Sequence, residues 1–185
     1  MNLSSYAKLT LSADEGWPEL AQRHPGVLKV FGLLVLPLSL LPPALLYFAG
    51  THYLEALDPT LRHRDWAWGA SVFFLAEIAT FLFMGWLIRQ VAETRALAIG
   101  YHDAYLLAAI APVPMWLSSL ALLVPDITFN GVVSLTALAL SCALLYNGIQ
   151  AFGRKRDAIV AAAVVQTVIG AVLIGWALLF VLALT

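Results

Sequence analysis

The stretch "FFLAEIATFLF", Phe73 to Phe83, decides how the chain is read, because it sets one carboxylate, Glu77, in a run of aromatic and aliphatic side chains. Either the run is no membrane span, or the acid has a task inside one. Composition excludes the first alternative: 62% of the 185 residues are hydrophobic, 11% are charged, and mean hydropathy is +0.87. A soluble domain carries about 25% charged residues, so much of this chain's solvent must be lipid. The fold class is an all-α polytopic membrane protein.

Working outward from Glu77, five apolar runs have spanning length: about Val30 to Ala49, Trp66 to Ile88, Ala104 to Val124, Phe129 to Ala151 and Ala158 to Leu184. At ~1.5 Å per residue each covers the hydrocarbon core. The connections are short, so residues 27–185 form one five-helix transmembrane domain and residues 1–26 a lead-in. The lead-in lacks the basic patch and apolar core of a secretory signal and is expected to be retained. Within it, Ser12 with Glu15 suits a capping box, and Trp17 and Leu20 suit either a short membrane-lying helix or a solvated approach.

Lys and Arg divide unequally between the two sides. Lys8, Arg23, Lys29, Arg89, Arg95, Arg154, Lys155 and Arg156 fall on one side, and only Arg62 and Arg64 on the other. This asymmetry predicts a cytoplasmic N-terminus and an outside C-terminus; the membrane expected is the cell inner (plasma) membrane. The Arg154, Lys155, Arg156 cluster reads as an orientation signal that meets anionic lipid, not nucleic acid. Tyr47, Trp66, Trp68 and Trp176 are expected near the outer boundary, and Trp86, Tyr101, Tyr105 and Tyr146 near the inner one.

Glu77 lies eleven residues from both Trp66 and Ile88, at the midplane. A carboxylate there costs ~3 kcal/mol, and about ten apolar neighbours at ~0.4 kcal/mol each outweigh it, so the helix still inserts. The acid is expected to face the bundle as a protonated donor. Polar partners at similar depth are Ser39, Ser118, Ser119, Ser141 and Gln166. Pro112 and Pro114, with Pro37, Pro42 and Pro43, lack amide protons; they predict broken third and first helices whose freed carbonyls add to a polar seam. That seam reads as a proton or ion path, or as a hydrogen bond that joins helices.

Small residues recur every fourth position, at Ala163, Thr167, Ala171 and Gly175 and at Ala139, Ala143, Asn147 and Ala151. Such faces let helices pack within the chain, against a second copy or against a protein partner. His102 and Asp103 open the third span, where Asp103 suits an N-cap. The single Cys142 reads as a buried small residue. His52, Glu55, Asp58, His63 and Asp65 have no compact metal-ligand spacing, no His falls inside a span, and no hydrolase or transferase motif is present. No metal, cofactor or enzymatic activity is expected. No internal repeat is visible, so the usual sequence pointer to a secondary transporter is missing.

Two longer stretches carry a resemblance. Residues 16–50 read "GWPELAQRHPGVLKVFGLLVLPLSLLPPALLYFAG" and residues 100–120 "GYHDAYLLAAIAPVPMWLSSL". A lead-in Trp, a first span with a proline-rich second half, and a Gly-Tyr entry followed by a Pro-Trp pattern resemble the Yip1 family, in particular its bacterial branch. The matching residues are Gly100, Tyr101, Pro112, Pro114, Trp116, Pro37 and Pro42. The resemblance implies a non-enzymatic protein that works through helix and partner contacts. Eukaryotic relatives serve vesicle trafficking and bind small GTPases, but the Asp-Leu-Tyr-Gly-Pro motif is missing here, and GTPase binding is not expected. The competing expectation is a small proton- or ion-linked permease or channel that uses Glu77.

Overall fold

The computed structural model describes residues 17, 20, 25–54, 64–153 and 158–184. Five helices are long and apolar enough to cross a bilayer: α1 (Val27–Leu54), α2 (Trp66–Thr94), α3 (Tyr101–Leu123), α4 (Ile127–Phe152) and α5 (Ala158–Leu184). They match the five apolar runs and extend beyond several of them, because polar caps set the ends. Asp65 accepts the Trp68 N–H at 3.0 Å to start α2, and Asp126 accepts the Phe129 N–H at 2.9 Å to start α4. At α3 the cap is Gly100, and Asp103, one turn in, reaches back to the Gly100 N–H at 3.3 Å. The aspartate thus supplies the side-chain half of a capping box from the N3 position and is not itself the N-cap.

The end of α2 shows a Schellman closure without its usual glycine. Ala96 has φ 54°, the Ala96 N–H bonds to Glu93 O at 3.1 Å and the Leu97 N–H to Ala92 O at 3.0 Å. Buried Leu97 and Ala92 supply apolar cover for the turn. An alanine in the left-handed region costs about 1 kcal/mol, which packing of Leu97 and Ile99 offsets.

The expectation of broken first and third helices is corrected. Backbone angles remain right-handed through Leu40 and through Ala111 and Pro112, so α1 and α3 run on as continuous spans. Hydrogen bonding is what changes: Phe31–Val35 and Gly50–Leu54 are π-helical, and Ser119–Leu123 is 3-10. Pro37, Pro42, Pro43 and Pro114 each lie in the first turn of a new α-helical segment, and Pro112 sits at a cap. There the missing N–H has no intrahelical partner to lose.

Half of the most apolar window of α3 is buried, against 22–33% for the other four spans, so α3 is the central helix. It packs on α1, α2 and α4, while α5 closes the far side against α2 and α4. Close approach is bought at two glycines. A Cβ on Gly85 would fall 2.7 Å from the Tyr105 ring, which donates its hydroxyl to Leu82 O at 3.3 Å across α2 and α3. A Cβ on Gly148 would strike Leu107 and come 2.7 Å from Trp17. Tyr105 is therefore an interhelical strut.

Trp17 and Leu20 lie in the core. Trp17 is fully buried, edge-on to Phe152 with ring centroids 5.7 Å apart, and Leu20 is buried beside the same cluster. The approach to α1 is tied down by His102, whose Nε2 lies 2.9 Å from Pro25 O. The large apolar area of an indole makes this burial worth more than an interfacial position. Ser12, Glu15 and the rest of residues 1–16, 18–19 and 21–24 lie outside the described residues, as do the loop at 55–63 and the cluster Arg154, Lys155, Arg156.

Candidate functional site

Glu77 is held by a residue that its charge alone would not reveal. The Trp116 indole Nε1–H donates to Glu77 Oε2 at 2.8 Å, joining the middle of α2 to the middle of α3. Trp116 is 2% exposed, so its N–H has no water to turn to. One carboxyl oxygen, Oε2, therefore accepts from the indole. The signal was present in the sequence. Trp is most at home at a membrane boundary, yet Trp116 lies fifteen residues into α3, ~22 Å deep, while Glu77 lies seventeen residues, ~25 Å, from the Thr94 end of α2. A midspan indole and a midspan carboxyl at matching depth each need the partner that the other supplies.

Around this pair is a cavity of about 400 Å³ with wall residues from all five helices. Glu77, Ser118, Ser119 and Ser141 line it, with Pro42 and Pro112 in the walls. Thr80, Asn130 and Ser134 also line it and were not singled out from the sequence. The aromatic walls are Phe73 and Trp176, 4.8 Å apart between ring centroids, with Phe81 and Trp116. Trp176 thus faces the interior and not simply the boundary.

Gln166 is exposed and takes no part in the cavity, and Ser39 is buried elsewhere on α1 with its hydroxyl on Leu36 O at 3.2 Å. Ser118 and Ser119 donate to their own helix, to Met115 O at 2.7 Å and Trp116 O at 2.6 Å. Their hydrogens are spent, and the carbonyls they reach are not those freed by Pro112 and Pro114. Ser141 differs: it is 3% exposed and its Oγ has no hydrogen-bond partner.

The remaining candidates have local structural roles. Gly100 and Tyr101 begin α3, with the Arg89 guanidinium 6.0 Å from the centre of the Tyr101 ring. Cys142 is half-buried rather than buried. Among the described residues, no three metal-capable side chains converge.

A packed five-helix bundle with lipid-length apolar spans defines an integral, multi-pass membrane protein. Residues 8–183 match the Yip1 domain, and the chain belongs to that family. Members are non-catalytic membrane proteins, which agrees with the lack of enzyme motifs in the sequence. No characterised protein and no solved structure matched the chain.

Proposed function

We propose that this Yip1-family protein is a non-enzymatic component of the cell inner membrane, with its N-terminus cytoplasmic and its C-terminus outside, acting in membrane organisation or as an accessory subunit. Its contacts are made by helix faces, with lipid around them and a second copy or another membrane protein against the small-residue side. The carrying observation is on α5. A Cβ added at Gly170 or Gly175 would meet nothing within 4 Å, and Thr167 is exposed with its hydroxyl turned back to Ala163 O at 2.8 Å. Packing within the chain instead uses Ala161, Val164 and Val168 on another face. A small-residue stripe left open in this way suits close approach of another helix. Native mass spectrometry from lipid nanodiscs should give a species larger than the monomer, weakened by Gly170→Leu with Gly175→Leu while monomer stability holds. Monomer alone, with no bound partner, would defeat this reading.

The cavity favours a second reading, a small proton- or ion-linked permease built on Glu77, Ser118, Ser119 and Ser141. Such a protein would flex α1 and α3 near Pro37, Pro42, Pro43, Pro112 and Pro114, where hydrogen bonding is already irregular. Glu77→Gln should then abolish pH-dependent flux in proteoliposomes; unchanged flux counts against it.

A further inference from the structure

We propose that the cavity beside Glu77 binds a small apolar amine in its protonated form, the ammonium at the carboxylate and the hydrocarbon body against the aromatic walls. The inference rests on the second reading for its site but concerns occupancy, which flux measurements do not decide.

Three of the polar groups that line the cavity are suited to a donor. Glu77 uses Oε2 to accept from Trp116, and the hydroxyl hydrogens of Ser118 and Ser119 are given to backbone carbonyls, which leaves oxygen lone pairs for a guest. An ammonium is a donor only, with no acceptor of its own to satisfy. Charge agrees with hydrogen bonding. No Lys, Arg or His is among the wall residues, so a carboxylate there has an indole dipole for company and no counter-ion from the described chain. A mobile cation would supply that counter-ion at the depth where an unpaired charge is most costly.

The walls favour an organic cation over a metal ion or a hydrated proton. Phe73 and Trp176, both half-buried, bring to the lining π-systems of the kind that attract an ammonium, and most of the rest of the lining is aliphatic. A largely apolar hollow of about 400 Å³ with a few convergent polar groups has the proportions of a small-molecule site. Ser141 is a further polar residue of the lining, 3% exposed, with an Oγ that has no hydrogen-bond partner of its own.

The test is isothermal titration of nanodisc-embedded protein with 4-phenylbutylamine and with its neutral counterpart 4-phenylbutan-1-ol. Wild type should bind the amine at least about ten-fold more tightly, and Glu77→Gln, which can still accept the Trp116 N–H, should reduce that preference to within about two-fold. Ser141→Leu fills the cavity and should weaken both ligands by about ten-fold or more, which separates the cavity from partition into lipid and decides the matter if the Glu77 variant does not fold. Equal affinity for amine and alcohol, a preference that survives Glu77→Gln, or indifference to Ser141→Leu would each overturn the proposal. Binding without uptake into proteoliposomes keeps this site and removes the permease. Glu77-dependent flux without amine preference keeps the permease and removes the amine.

Discussion

The two ends of the bundle are built on opposite principles. Where Trp17, Leu107, Leu145, Gly148, Ile149 and Phe152 meet, side chains are large, fully enclosed and fitted to a glycine notch. Toward the Asp65 and Asp126 end, past Glu77 and Ser141, the same helices separate around a cavity of about 400 Å³. One helix shows the change: Ser134, Leu138 and Ser141 on α4 line the hollow, and Leu145, four residues beyond Ser141, is fully buried in the packed core. The difference teaches that the described residues form a cup closed at its packed end. Any passage through it would require the packed end to come apart.

Variants that attack the packed end should have the largest effects. Trp17→Ala removes an enclosed indole from contact with Phe152 and Gly148 and should cost about 3–5 kcal/mol, read as a fall in thermal midpoint in detergent. If that loss is under about 1 kcal/mol, the lead-in is not part of the core. Gly148→Val drives a side chain into Leu107 and Trp17 and should cost about 1–3 kcal/mol. The same change at Gly131, where an added Cβ meets nothing within 4 Å, should be close to neutral.

Between the two ends, Trp116→Phe keeps the ring but deprives Glu77 of its donor, for an expected loss of about 1–2 kcal/mol. Glu77→Gln should cost less than Glu77→Ala, since the amide oxygen can take the indole N–H. A double-mutant cycle of Glu77→Gln with Trp116→Phe measures the coupling. In the hollow, Ser141→Ala deletes an unpaired buried hydroxyl and should be neutral or stabilising by up to about 1 kcal/mol. The smallest effect is expected at the turn, where Ala96→Gly relieves a left-handed alanine and should stabilise by about 0.5–1 kcal/mol.

The sequence reveals the fold nearly whole because lipid imposes a length and a polarity on every span, and Asp65, Asp126 and Gly100 mark helix starts in local chemistry. The site is only partly legible. Glu77 announces itself by cost, and Ser118, Ser119 and Ser141 by depth, but depth does not fix azimuth, which is why Gln166 and Ser39 were grouped with them. Trp116 was noted for a Pro-Trp pattern, although its midspan indole N–H was the stronger signal. The prolines misled because their position within the first turn of a segment, on which their effect depends, becomes visible only once the segments are defined. Trp17 was hidden for a different reason. Its pocket is assembled from α3 and α4, more than eighty residues along the chain, and nothing local records it.

The closed-ended cup is tested most directly by thiol accessibility in native membranes, since maleimides react with thiolates that water can reach. In a Cys142→Ala background, Ser134→Cys, an exposed position of the cavity lining, is predicted to react with N-ethylmaleimide, and amine ligand to protect it, while Leu145→Cys, three turns on along α4 and fully buried, stays unreactive until the protein is denatured. Equal labelling at both positions would show that the cup has no floor, and an inert Ser134→Cys that it has no hollow.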